Sequence, residues 1–481
     1  MEFYIGQAIV IVIVIVYLIA MLFIGVYSSK KISNSNDFAL AGRNLGPILL
    51  AGTLAATNIG GGTSLGLAEQ AFGKWGFSAV WYVITASLAY LVLAFLAQRF
   101  RNAMVTTVSE YFYNRYGKAN ALVTSIIMGL PMIGITAAQI IASASILTVM
   151  TGWNYKISVV IVTVVVTAYS SMGGLWGVAF TDLIQGSLVF IGSLVAIPFA
   201  LNYAGGFEHV ISNLTPAQKS LTAGMGWPTI ISLTIMYIAS YSVGPEISQR
   251  FFSARDSKSL MIGSLMGGLV CILYSLFPAF LELIASSVVK DGLLTSELLT
   301  SEGSRYILPV LAIHTMPPVI VGLLFSALIS ATMSSADSDM LAVSVIATND
   351  IYKKYINKDA TDKQLLFLGR ACMVVVGLIS MFIAFRAANL ITILMFSFSL
   401  RAAGVFIPYL FGNYTKKKLS AVASMGSLIA GSVVTIFFQY NKNINLFGVD
   451  PIIPGIVASL IVFLILSTLI QPKPNASNMN N

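Results

Sequence analysis

Nine consecutive residues carry most of the chemistry that this chain offers: Ala331-Thr332-Met333-Ser334-Ser335-Ala336-Asp337-Ser338-Asp339. They lie inside an apolar run from about Pro318 to Val345, long enough to cross a bilayer, whose middle should therefore hold no charge. On a helix, residues three, four and seven apart share a face. Ala331, Ser334, Ser335 and Ser338 follow that spacing, and Asp337 is three on from Ser334. The predicted result is a stripe of oxygens at membrane depth, and hard cations take oxygen ligands. An acid at the centre of the hydrocarbon costs about 2.5–3.5 kcal/mol on insertion scales, so an ionisable group there points to function. The competing reading is that the serines bond back to their own helix and the aspartates sit near an interface.

Composition says what kind of element must position these groups. Of 481 residues, 57% are hydrophobic and only 9% are charged, against roughly 25% charged in soluble domains. This predicts an all-α polytopic membrane protein; segments of about ten alternating residues, the mark of a β-barrel, are lacking. Cys271 and Cys372 are far apart in apolar runs, which gives neither a disulfide framework nor a metal spacing. The net charge of +9 resides in short loops between apolar runs, so it suggests no nucleic acid. The N-terminal segment has no basic leader region and no small-residue cleavage site, and it is expected to be a retained helix.

Apolar runs of about twenty residues span a bilayer. Thirteen are expected, at about 5–27, 46–70, 76–98, 119–150, 156–171, 180–203, 225–251, 259–287, 308–346, 365–386, 389–412, 419–439 and 450–470. Pro317 and Pro318 should split a short half-helix from the ninth. With the N-terminus outside, nineteen lysines and arginines fall in inner loops and seven in outer ones, which predicts an outside N-terminus and an inside C-terminus. Arg401 is left within the eleventh span.

Two spans should be interrupted. The second contains Asn58-Ile59-Gly60-Gly61-Gly62-Thr63-Ser64, and glycine is a helix former about 1 kcal/mol worse than alanine at each position. The seventh contains Tyr241-Ser242-Val243-Gly244-Pro245-Glu246, where proline removes a donor and clashes with the preceding turn. The breaks are five spans apart. Interrupted segments in corresponding positions of two halves mark an inverted-repeat transporter with its site at the breaks. The expected organisation is 1–45 for a peripheral helix and inner loop, 46–203 and 204–412 for two five-helix repeats, and 413–481 for two peripheral helices and a short inner tail.

At these residues the chain resembles the sodium/solute symporter family, whose members carry proline, pantothenate, choline, sialic acid and sugars. The most specific pieces are Ser171-Met172-Gly173-Gly174-Leu175-Trp176-Gly177-Val178-Ala179-Phe180-Thr181-Asp182-Leu183-Ile184-Gln185, the run Ala331 through Asp339, and Thr348-Asn349-Asp350-Ile351-Tyr352. The likeness runs from the first span to about the twelfth. It implies a leucine-transporter-type five-plus-five inverted repeat and sodium as the co-transported ion. It implies sodium ligands at the carbonyls of Ala56, Ile59 and Ala331 and the hydroxyls of Ser334 and Ser335. A second sodium site, present in some members, matches Asp182, Ser334, Asp337 and Ser338. In that architecture the solute sits beside the breaks, where Asn58, Gly60, Thr63, Gln139, Tyr237, Tyr241 and Ser397 are the candidates. From their spacing of four, Glu246 and Arg250 are expected to pair at the inner mouth as a gate or a structural pair, with proton transfer as the alternative. Arg401 could meet an anionic solute, pair with a buried acid or reach an interface.

The function expected is sodium-coupled import of a small organic solute (an amino acid, carboxylate, vitamin or quaternary amine) by alternating access, with one or two ions per solute, in a multi-pass cell-membrane protein surrounded by lipid. The alternatives are a proton-coupled symporter on the same fold or, less well supported for want of a repeated filter-like loop, a channel. Nothing in the sequence suggests an enzyme.

Overall fold

The computed structural model describes residues 6–30, 32, 34–102, 104–294, 304–386, 390–415, 419–441, 444 and 449–470. Of the basic residues that set the expected orientation, Lys31, Lys416, Lys417, Lys418, Lys442 and Lys473 lie outside the described residues. No strand occurs among the described residues; one isolated bridge joins Leu45 and Ala254.

The main helices are α1 (Gln7–Ser29), α2 (Pro47–Asn58), α3 (Val80–Asn102), α4 (Lys118–Thr151), α5 (Tyr155–Tyr203), α6 (Trp227–Val243), α7 (Pro245–Ser253), α8 (Ser257–Lys290), α9 (Ile307–Thr315), α10 (Pro318–Val345), α11 (Asp362–Ala384), α12 (Leu390–Tyr414), α13 (Ala421–Tyr440) and α14 (Ile452–Leu469). Among the described residues, the thirteen expected runs lie largely on helix, the second being interrupted at its glycines. Ten helices among the described residues are by themselves long and apolar enough to cross a membrane, eleven when α6 and α7 count as one bent span. The shortfall comes from the breaks: α2 has only 12 residues because the glycines end it, and Tyr155–Ala168 is likewise short.

Helix α5 is really two helices folded at Gly174, whose φ of 51° and ψ of −164° lie where a side chain is strained. A Cβ there would meet the Phe38 ring at 2.7 Å and its carbonyl oxygen at 3.0 Å, so both backbone and space require glycine. Pro317 precedes α10 and separates it from the short α9, as the proline pair predicts. Helix starts carry the expected side-chain caps: Thr361 forms a capping box with Gln364, and Asp256 accepts from the Ser259 N–H at 2.7 Å.

Packing sorts the helices into two groups. In one, α8 packs against α2 and α3, and α3 packs against α6. In the other, α10 packs against α5 and α4, and α4 against α11. Helix α12 touches both groups through α4 and α6, and the α13–α14 pair lies against it. The polar stretch of α10 is wholly interior, with every residue from Ser326 to Val345 buried, whereas α1 presents Val12, Val16, Ile19 and Phe23 outward. Outward apolar side chains on a membrane-length helix are what lipid contact requires.

Candidate functional site

The second span breaks where the glycines stand. Helix α2 ends at Asn58; Ile59, with φ −80° and ψ 72°, leaves the helical path, and a short π-helical stretch resumes at Gly62–Gly66. Helix α10 lies against this break. Ser334 Oγ is 3.0 Å from the carbonyl oxygen of Ala56 and 2.9 Å from that of Ala331. Ser335 Oγ is 3.0 Å from the Thr57 carbonyl oxygen and 3.3 Å from that of Ala331. Four of the five residues expected to hold sodium, Ala56, Ala331, Ser334 and Ser335, thus meet through their oxygens, and Ile59 stands at the turn where α2 ends. The serines do bond back to their own helix, but Ser334 and Ser335 also reach across to α2.

The break's freed groups have partners. Gln139 on α4 accepts the Gly61 N–H at 2.7 Å through Oε1. Thr63 Oγ1 donates toward the carbonyls of Asn58 and Gly60 at 2.9 and 3.1 Å. A Cβ at Gly60 would fall 2.3 Å from Ser335 Oγ and 3.0 Å from Gln139 Oε1, so only a bare backbone lets α10 and α4 converge here.

The seventh span bends by 55° between α6 and α7. Gly244 caps both helices, and Pro245 starts the second at a position where its missing N–H costs nothing. Glu246 directly follows, and its carboxylate receives a two-pronged bond from Arg401 on α12: Nη1 to Oε2 at 2.8 Å and Nη2 to Oε1 at 2.7 Å. Arg401 also donates through Nε to Ser240 at 2.7 Å and lies over the Phe398 ring at 4.9 Å. Of the three roles open to Arg401 from sequence, the structure selects pairing with a buried acid.

The side-chain pair anticipated between Glu246 and Arg250 does not form. The Glu246 carboxylate is engaged by Arg401, and Arg250 touches only its backbone carbonyl, at 2.7 Å. Arg250 instead ties three further elements together. Its Nη2 donates to Asp182 Oδ2 on α5 at 3.1 Å and to Ser338 Oγ on α10 at 2.7 Å, and its Nε to Thr53 Oγ1 on α2 at 2.9 Å. Thr53 in turn donates to Asp182 Oδ2. Ser338 donates toward the Ser334 carbonyl at 2.6 Å and lies 3.3 Å from Asp337 Oδ1. The residues expected to form a second sodium site therefore do cluster, with a guanidinium among them.

Beside both breaks lies a cavity of ≈ 40 Å³. About 10–15 Å³ admits one water, so the cavity has room for a few waters. Its lining includes Asn58, Gly60, Thr63, Gln139, Tyr237 and Tyr241, six of the seven solute candidates. The seventh, Ser397, is not on that wall; its Oγ packs at Gly134, 2.8 Å from where a Cβ would stand. Tyr241 donates to Asn58 Oδ1 at 2.7 Å, joining the two broken spans across the cavity. Sequence reasoning gave no role to Phe398, Leu394 or Asp339, which also line it. Asp339 is within the serine-aspartate run, so the signal was present but unassigned. On the exterior, His209 bonds Asp291 at 2.9 Å. That bond holds the Asp291 carboxyl below its usual range.

Comparison with known proteins fits this geometry. The sequence profile of the sodium:solute symporter family matches residues 38–431. The osmoregulated proline transporter OpuE of Bacillus subtilis is 26% identical over 489 residues, covering 96% of this chain and 95% of its own. The high-affinity proline transporter PutP of the same organism is 27% identical over 475 residues, covering 95% and 97%. Among solved structures, a sodium-coupled sialic acid symporter in a substrate-bound outward-open state superposes with a TM-score of 0.83 at 21% identity, covering 96% of this chain and 98% of that one. A nucleobase-cation-symport-1 family transporter with bromovinylhydantoin bound gives 0.54 at 13%, covering 91% and 96%. These likenesses place the fold in the leucine-transporter type. With its profile matched over most of its length, the chain belongs to the sodium:solute symporter family, and it is a multi-pass plasma-membrane protein that couples sodium to solute transport rather than an enzyme.

Proposed function

We propose that the transported sodium binds where α10 meets the broken second span, held by the carbonyls of Ala56, Ile59 and Ala331 and the hydroxyls of Ser334 and Ser335, and that the solute binds in the adjoining cavity. The observation that carries this reading is Ser334 Oγ, within 3.0 Å of two carbonyl oxygens from two different helices. A hydroxyl has one proton and can serve only one of those carbonyls at a time. A cation among them would be met by lone pairs from all three oxygens. Five neutral oxygens bind a monovalent ion without a full counter-charge, so the ion can also leave.

Such an ion would link α2, from one packing group, to α10, from the other. Solute contacts with Asn58, Gly60, Thr63, Gln139, Tyr237 and Tyr241 lie along the same seam. Binding both ligands favours closure of the seam, and rocking of one group against the other then alternates access. Arg250, joining α2 and α7 to α5 and α10, is the proposed gate. We place the N-terminus outside, and the two repeats at 46–203 and 204–412, on the loop charges and the spacing of the breaks. A charge moving through 100 mV releases about 2.3 kcal/mol, and a tenfold gradient adds roughly 1.4 kcal/mol. One sodium therefore supports solute accumulation of about several hundredfold.

A second sodium at Asp182, Ser334, Asp337 and Ser338 would have to displace the Arg250 guanidinium from Asp182 and Ser338, so that ion and gate compete. Two facing carboxylates resist ionising together unless a cation joins them, and Asp182 Oδ1 accepts no hydrogen bond. The test is charge moved per solute in proteoliposomes. Two charges per neutral solute support the second ion; one charge rules it out. For the symport reading as a whole, counterflow of labelled amino acids, monocarboxylates, vitamins and quaternary amines, with and without sodium, should yield a sodium-dependent solute, and its absence across all classes would contradict the reading.

A further inference from the structure

We propose that Asp339 binds a positively charged amine on the solute, so that the solute is a cation or a zwitterion bearing an ammonium group. The inference rests on the cavity beside the breaks being the solute site. Asp339 is 2% exposed, lines that cavity, and its Oδ2 has no hydrogen-bond partner. A buried acceptor left unmet is costly, and a buried charge more so. Its charged neighbours are the carboxylates of Glu246 and Asp337 and the guanidiniums of Arg250 and Arg401. Both guanidiniums are committed. Arg401 holds both oxygens of Glu246 at 2.7 and 2.8 Å, and Arg250 holds Asp182 at 3.1 Å. Each guanidinium is therefore engaged with another carboxylate, and Asp339 faces the cavity.

The rest of the wall suits the same ligand. Tyr82, Tyr237, Tyr241 and Phe398 line the cavity as a continuous aromatic cluster. Ring centroids are 5.8 Å apart for Tyr82–Tyr237, 5.2 Å for Tyr237–Tyr241 and 5.7 Å for Tyr237–Phe398. Aromatic faces attract ammonium and quaternary amines through their quadrupole. A cage of rings with one unpaired carboxylate recognises an amine and repels a lone anion. A solute whose only charge is a carboxylate would meet Asp339 and Glu246 with no free cation among the described lining residues.

The experiment uses the full chain in proteoliposomes at saturating sodium, with choline, proline and glycine betaine as amine-bearing probes, lactate as an anion and glucose as a neutral solute. Sodium-dependent counterflow is expected only among the amine-bearing probes. Asp339→Asn should weaken that probe about 10- to 100-fold in KM, and Asp339→Glu should recover part of the loss. Sodium-induced thermal stabilisation should persist in Asp339→Asn, which reports a folded protein with its ion site intact. Sodium-driven uptake of lactate or glucose alone would overturn the proposal while leaving the symport reading standing. So would an unchanged KM in Asp339→Asn, including the case where only pH dependence is lost and Asp339 carries a proton. No sodium dependence for any probe, with no sodium-induced stabilisation, would remove the symport reading and this proposal together.

Discussion

The two broken spans use the same backbone device for opposite electrostatic ends. At Asn58–Gly62 the unwound turn is lined by neutral dipoles: carbonyls of Ala56 and Thr57 met by the hydroxyls of Ser334 and Ser335, and the Gly61 N–H met by Gln139. At Val243–Pro245 the turn is lined by full charges: Glu246 is clamped by Arg401, and Arg250 stands four residues on. A neutral site can exchange a monovalent ion, because no counter-ion pair must be broken. A buried bidentate pair cannot be opened without leaving charges stranded at membrane depth. On the proposed reading, the first break loads and releases an ion, and the Glu246–Arg401 pair at the second holds its shape.

That contrast sets the order of expected effects. Arg401→Ala strands the Glu246 carboxylate and should cost about 3–5 kcal/mol of stability, read as a large fall in thermal unfolding temperature in detergent. Arg401→Met combined with Glu246→Gln should recover most of it. If the single variant unfolds like the parent, the charged break is not the structural one. Ser334→Ala should do the reverse. It removes a proposed ion ligand worth about 1.5–3 kcal/mol when charge is present, raising the sodium concentration for half-maximal uptake by about 10- to 100-fold. In sodium-free buffer its unfolding temperature should stay near that of the parent. A stability loss without a change in sodium dependence would erase the distinction. Gly60→Ala should fall between the two, because its Cβ would meet Ser335 Oγ at 2.3 Å and force α10 or Gln139 away. Sodium affinity and solute KM should worsen together; a shift in only one would show that ion and solute do not share this turn.

The smallest effect is at the membrane edge, away from both breaks. Asp256 caps α8, and the bond from the Ser259 N–H, helped by Arg255, holds its carboxyl down at about 2. A depressed carboxyl contributes its stability above the ordinary carboxylate range and loses it as pH falls toward the folded value. Asp256→Asn should therefore lower the unfolding temperature slightly at pH 7, and the gap from the parent should close as pH approaches 2. A gap that widens on acidification would reverse the assigned sign.

Local signals were legible and distant partnerships were not. The runs of glycine and the Gly-Pro pair announced both breaks, because helix propensity and a missing N–H act on the residue itself. The inward face of Ser334, Ser335 and Ser338 followed from helical spacing. Arg250, however, was matched to Glu246 by the four-residue rule, which assumes both side chains are free. Arg401, 155 positions from Glu246, already holds that carboxylate, and Arg250 turns to Asp182, 68 positions away. Ser397 is expected beside the breaks from the resembled architecture, but its hydroxyl faces Gly134 on α4, a packing fact that depends on helix rotation. Asp339 shares a stretch with Ser334, Ser335 and Ser338, yet only the packing shows that it lines the cavity.

Neutral oxygens at the first break are proposed to carry a sodium ion that drives the solute. The direct measurement is initial solute uptake in proteoliposomes at fixed pH and fixed membrane voltage while sodium is replaced by potassium, for the parent and for Ser335→Ala. Uptake in the parent should collapse without sodium, and Ser335→Ala should need more sodium to reach the same rate. Uptake that persists without sodium and follows an imposed proton gradient would contradict the claim.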